Sequence, residues 1–231
     1  MKVTLAQLNP TIGDIQGNVA KVEKTLSKYS TDSPDLVIFP ELFLVGYPPR
    51  DLLERPSFIA RTQAAIEKLL KISQNFGQTG IVLGAPQLSE KPTGKGIHNS
   101  ALLIYQGELL FAHHKSLLPT YDVFDEPRYF EPGLEHPVVK FKDTILGISV
   151  CEDAWNDPAL WPRRTYHHDP IETMAKRGAK LLINIAASPF HRGKERLRYN
   201  IVQSHARKHR IPFLFVNQVG ANDELIFDGR S

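Results

Sequence analysis

Short apolar runs rich in β-branched residues recur along the chain between longer stretches with a helical period, and this alternation restricts the fold more than any other feature. VTLAQL near the start, DLVIFPE, GIVLGAPQ, SALLIYQ, ELLFAHHK, TILGISVCE, KLLINIAAS and PFLFVNQVG read as strands. Most are apolar at successive positions, so both faces of the strand must be covered. Between them, NVAKVEKTLSKYS, SFIARTQAAIEKLLKISQNF, PIETMAKRGA and ERLRYNIVQSHARKHR carry helical spacing. Interleaving of this kind predicts an α/β fold. SALLIYQ and ELLFAHHK are separated only by Gly107 and read as a hairpin, so the sheet is predicted to be mixed. No repeat or low-complexity segment divides the 231 residues, and one domain is expected.

Several function classes fall away. Lys and Arg number 28 against 25 Asp and Glu, a formal charge of +3, and so small an imbalance demands no polyelectrolyte partner. The cluster Arg192, Lys194, Arg196, Arg198, then Arg207, Lys208, His209 and Arg210, is predicted to be a solvated helix face. Only Phe190 and Tyr199 could stack a base there, and no nucleic acid is expected. A single cysteine excludes an intramolecular disulfide and a cysteine-rich zinc site. His113–His114 and His167–His168 alternate faces if extended, and without an H-E-x-x-H pattern no metal is expected. MKVTLAQL has no signal-peptide character, no apolar run approaches the roughly 20 residues of a membrane helix, and a cytoplasmic location is expected. G-x-S-x-G, Walker A and strand-following G-x-G-x-x-G motifs are missing.

Three polar residues stand at the carboxyl ends of apolar strands: Glu41 after LVIFP, Lys115 after LLFAHH and Cys151 after ILGISV. Strand ends in open α/β folds form the ligand-binding crevice, so these residues can converge. Singly, each has a plain structural reading. A free cysteine is commonly a small buried hydrophobe, and a strand-end Glu or Lys is commonly solvated. Cys151, however, runs directly into Glu152, Asp153 and Trp155, a polar exit unlike core filler. Together the three suit nucleophilic amide chemistry: an ammonium at Lys115 favours a thiolate, and Glu41 can take the thiol proton and return it to a leaving amine. Lys115 and the backbone N–H of Glu152 can stabilise the oxyanion.

FPELFLVGYPPRDLL, HHKSLLPTYDVFDEPRYF and GISVCEDAW resemble the three catalytic blocks of the nitrilase, or carbon-nitrogen hydrolase, superfamily. Within it they are most similar to the amino-terminal glutaminase domains of glutamine-dependent NAD synthetases, with NIAASPFHRGKERLR and VNQVGANDELIFDGRS extending the likeness over residues 1–231. The resemblance implies a four-layer α-β-β-α sandwich with two mixed sheets and a Glu41–Lys115–Cys151 triad that hydrolyses glutamine without a cofactor. It also implies that Glu126 orients the lysine or substrate, that Tyr121 lines the glutamine pocket, and that Ser188 and Lys194 hold the amino-acid end of glutamine. The partner so implied is a carboxyl-terminal synthetase domain that uses ATP and magnesium to amidate nicotinic acid adenine dinucleotide. Its Ser-Gly-Gly-x-Asp-Ser loop does not occur here, so the chain reads as a truncated glutaminase portion with an exposed sheet edge. Homo-oligomers through the outer helices are implied as well. A stand-alone amidase or nitrilase, and a catalytically inert interaction domain, remain open at this stage.

Overall fold

The computed structural model describes residues 1–158, 160, 161, 163 and 165–231. Five strands form one sheet in the order β1 (Val3–Leu5), β2 (Leu36–Ile38), β3 (Gly80–Leu88), β4 (Ile97–Tyr105) and β5 (Glu108–His114). The first three are mutually parallel, β4 runs antiparallel to β3, and β5 antiparallel to β4. Four more form a second sheet, β6 (Val139–Phe141), β7 (Thr144–Val150), β8 (Leu181–Ala186) and β9 (Phe213–Asn217), where only the β6–β7 pair is antiparallel. Both sheets are therefore mixed. The expected SALLIYQ–ELLFAHHK hairpin is β4–β5.

The two-sided apolar character of the strands is resolved by layering. On β2, Val37 faces a cluster with Val19, Val22 and Leu26 of helix α1 (Ile15–Tyr29) and Phe58, Ile66 and Leu69 of helix α2 (Pro56–Gln74). Its neighbours Leu36 and Ile38 face the other way, meeting Leu146, Ile148, Val150, Ile183 and Ile185 of the second sheet. Leu182 in turn faces outward to Ile171 and Met174 of α3 (Pro170–Lys176) and Ile201 of α4 (Lys194–His209). The period of two thus sorts one strand's side chains into two cores, each fully buried aliphatic contributing about 1.5–3 kcal/mol. The result is a four-layer α-β-β-α sandwich.

Four local departures from the sequence reading have physical causes. PFLFVNQVG is not one strand: β9 ends at Asn217, and the chain leaves the sheet to form β10 (Val219–Asn222), paired antiparallel with β11 (Leu225–Asp228). Gly220 permits the departure, with φ 113° and so close an approach to Asn9 that an added Cβ would lie 2.3 Å from its side chain. β6 and β11, of three and four residues, lack the longer apolar run that flags the equally short β2 within LVIFP. Helix α1 starts three residues before NVAK because the Asp14 side chain caps it, accepting from the Gly17 N–H at 3.0 Å. Finally, the basic run on α4 is not uniformly solvated. Arg196, Arg207, Lys208 and Arg210 are exposed, but Arg198 is buried and clamps Asp228 through two 2.6 Å hydrogen bonds.

Candidate active site

The sheets deliver their strand ends to one place. Glu41 lies three residues past β2, Lys115 immediately past β5 and Cys151 immediately past β7, all three buried. Lys115 Nζ donates to Glu41 Oε1 at 2.8 Å and to Glu126 Oε1 at 2.7 Å, so an ammonium is held between two carboxylates. Glu41 also accepts from Asn99 Nδ2 and, through Oε2, from the Ala187 N–H, each at 2.8 Å. An ionised carboxylate offers about four acceptor sites, and three donors leave one for a proton-bearing neighbour. Glu126 is oriented by the Tyr47 hydroxyl, which donates to it at 3.0 Å.

Local backbone explains the placement. Gly84 on β3 accepts the Glu41 turn against its bare α-carbon: a Cβ there would lie 2.1 Å from the Leu42 nitrogen. Gly84 N–H and C=O bond Pro40 and Leu44 across that turn. Lys115 prolongs the β4–β5 pairing by donating its N–H to Asn99 O. Cys151 opens a 3-10 helix, Cys151–Ala154, with φ 42°, a left-handed conformation costly to a residue with a Cβ. The Asn184 amide accompanies this kink, donating to Cys151 O at 3.3 Å and Ser149 Oγ at 2.9 Å. The N–H groups of a first helical turn have no partner within the helix, and Glu152 N–H occupies such a position.

The electrostatics correct one expectation. Burial would discharge Lys115, but Glu126 and Glu41 reverse this and hold its ammonium well above the usual lysine range. Burial and the Glu41 carboxylate push the Cys151 thiol up, and Lys115 opposes them without prevailing. The resting cysteine is therefore a thiol, not the thiolate that a nearby ammonium alone would give. Burial also pushes Glu126 up to about 7, against the pull of Lys115.

The remaining residues of interest lie around Cys151. Tyr121, half-exposed at the rim, donates its hydroxyl to both Glu152 carboxylate oxygens at 2.8 Å, and Tyr166 donates to Oε1 at 3.2 Å. Lys194 Nζ sits 5.5 Å from the Trp155 ring centroid and 5.8 Å from that of Phe124. Burial lowers its pKa. Lys194 and Arg198, four residues apart, share the helix face turned inward. Ser188 is buried between Asn217 and Arg198, and its hydroxyl has no partner among the described residues. Beside Glu126 a cavity of about 280 Å³ opens between Tyr47, Arg50, Phe124 and Tyr129. The sequence reading missed Tyr47, Asn99, Tyr166, Asn184 and the side-chain role of Glu152; only Glu152, in the polar CEDAW exit, carried a signal.

Residues 2–231 match the carbon-nitrogen hydrolase family. The chain belongs to that family. Among its relatives is a glutamine-dependent NAD(+) synthetase of Synechocystis sp., 40% identical over 99% of this chain and 41% of the relative's length. Another, of Thermotoga maritima, is 39% identical over 100% of this chain and 38% of the relative. The glutamine-dependent NAD+ synthetase of Acinetobacter baumannii, solved with ADP, superposes with TM-score 0.85 at 31% identity, over 99% of this chain and 40% of that one. An amidase of Nesterenkonia sp. AN1, solved with the acetamide moiety of fluoroacetamide on its active-site cysteine, shares the fold (TM-score 0.83, 24% identity, 99% of this chain and 80% of that one). This enzyme of the carbon-nitrogen hydrolase family thus spans about two fifths of the length of the synthetases it matches.

Proposed function

We propose that this chain hydrolyses the side-chain amide of glutamine, with Cys151 as nucleophile, Glu41 as general base and acid, and Lys115 as the electrostatic partner. The observation that carries the reading is the buried Glu41–Lys115–Glu126 line, with bonds of 2.8 and 2.7 Å, beside a cysteine strained to φ 42° at a strand end. Three buried charges and a left-handed cysteine are costly to a fold, and such costs gather where chemistry is done.

Because the resting sulfur is protonated, catalysis begins with proton transfer. The free acceptor site of Glu41 takes the thiol proton as sulfur attacks the amide carbon. The oxyanion is met by the Lys115 ammonium and the Glu152 N–H. Glu41 returns the proton to nitrogen, the C–N bond breaks, and ammonia leaves a thioester on Cys151. Glu41 then takes a proton from water as the hydroxide oxygen attacks the thioester, and the proton passes to the departing sulfur, releasing glutamate. Tyr121 and Glu126 line and orient the site, while Ser188 and Lys194 receive the amino-acid end of the substrate.

The ammonia is assigned to a synthetase domain, carboxyl-terminal in the full protein, that amidates nicotinic acid adenine dinucleotide to NAD with ATP and magnesium. No step proposed for this portion runs through ATP or magnesium. Ammonia release from glutamine, from simple amides and from nitriles tests the reading. Glutamine turnover that disappears in Cys151→Ala is expected; consumption of the other substrates alone would transfer the chain to the stand-alone amidases. No turnover of any substrate would favour an inert domain.

A further inference from the structure

One carboxylate outside the site joins the two sheets where the reactive residues leave them. Asp153 is fully buried. Its Oδ1 accepts from the Ser116 N–H at 2.9 Å and the Leu117 N–H at 3.0 Å, the two residues that follow Lys115. Its Oδ2 accepts from the Val150 N–H at 3.0 Å, the residue before Cys151, and lies 3.0 Å from His113 Nε2, two residues before Lys115. A carboxylate can only accept, so His113 carries its proton on Nε2.

His113 and Lys115 belong to the end of β5 in the five-stranded sheet, and Val150 and Cys151 to the end of β7 in the four-stranded sheet. Between these sheets most contacts are those of an apolar core, which sets a distance but tolerates sliding, and the 2.8 Å bond from the Ala187 N–H to Glu41 ties the ends of β8 and β2 without engaging the Lys115 or Cys151 backbone. Four directional bonds on one side chain remove that freedom. Burial disfavours the charge of Asp153, but hydrogen bonds from His113, Val150 and Leu117 outweigh it and keep the carboxyl below its ordinary range. Hydrogen bonds to an ionised carboxylate are roughly twice as strong as those between neutral groups.

We infer that Asp153, supported by His113, is the positioning residue that fixes Lys115 relative to Cys151 by clamping the two sheet ends together. This rests on the proposed roles of Cys151 and Lys115. The clamp touches neither substrate nor sulfur: it determines how much of the Lys115 field reaches the thiol and the developing oxyanion.

The test is Asp153→Asn, which keeps the side-chain shape but turns an amide N–H toward the Val150 N–H. In the folded variant kcat for glutamine is expected to fall about 100-fold, the loss typical of a misplacement near 1 Å, with KM essentially unchanged. The second readout is the pH profile of Cys151 alkylation by iodoacetamide, which needs no turnover. If the clamp holds Lys115 in place, the midpoint rises in Asp153→Asn although an anion has been removed. Simple loss of a negative charge, or a loosened fold exposing the thiol, would move the midpoint down and speed alkylation. An unmoved or lowered midpoint in a folded variant overturns the proposal. If Asp153→Asn does not fold, His113→Gln, which retains a donor, is compared with His113→Leu, which does not. Alkylation midpoints higher for Leu than for Gln support the clamp, and equal midpoints overturn it. Should the wild type release no ammonia from glutamine, the functional reading fails, while the alkylation profiles still decide the clamp.

Discussion

At Cys151 the backbone and the sulfur make opposite demands. Its left-handed φ costs about 1–2 kcal/mol in a residue with a Cβ, and the turn it opens places the Glu152 N–H in a first helical turn, where the helix itself supplies no acceptor. Cys151→Ala is expected to abolish ammonia release while shifting unfolding free energy by no more than about 1 kcal/mol. Cys151→Gly, equally inactive, is expected to be more stable than the alanine variant by about 1 kcal/mol because it relieves the positive φ; urea titration of the two side by side measures this. Glu126 makes a second prediction at this scale. Its folded pKa, about 7, lies above its ordinary 4.5. The stability linked to its bound proton is full below 4.5 and is lost as pH rises through about 7. Wild-type stability is therefore expected to decline by about 1–3 kcal/mol between mildly acidic and mildly alkaline pH, and Glu126→Gln to flatten that decline. An equal slope in the variant would assign the titration elsewhere.

At the scale of elements, the site depends on two close fits. β3 can pass beneath the Glu41 turn only because Gly84 has no side chain, and a Cβ 2.1 Å from the Leu42 nitrogen must displace backbone. Gly84→Ala is expected to destabilise the fold by about 1–3 kcal/mol and to reduce turnover by more than stability explains, since the displaced segment carries Glu41. Turnover tracking stability alone would separate the glycine from the site. Helix α4 is fixed to β11 by Arg198 and Asp228, and the same arginine holds Ser188 O. Arg198→Ala, leaving a largely buried carboxylate unpaired, is expected to cost about 3 kcal/mol and to raise KM by releasing Ser188 and the Lys194 turn, as steady-state kinetics would read.

Over the whole molecule, what could be read from the sequence was what repeats or alternates. Leu36, Val37 and Ile38 announce a strand with two apolar faces, and the four layers follow from having to cover both. Glu41, Lys115 and Cys151 were legible because each interrupts an apolar strand at its carboxyl end. The short β6 and β11 were not, since VKF and LIFD lack the longer apolar run, LVIFP, that flags the equally short β2. Nor was the pairing of Arg198, because a cation's burial depends on a carboxylate 30 positions away. Most instructive is the thiol: residue types alone suggested a thiolate beside Lys115, whereas the ammonium is already engaged by Glu41 and Glu126, and burial keeps Cys151 protonated. In the proposed function, the substrate therefore triggers proton transfer inside a preassembled charge cluster. Intact-mass spectrometry after a brief exposure to a glutamine-like electrophile tests this most directly. It expects one adduct on Cys151, formed far faster than with iodoacetamide, suppressed by glutamine and largely lost in Glu41→Gln; labelling at equal rates with both reagents, indifferent to glutamine and to Glu41, would contradict it.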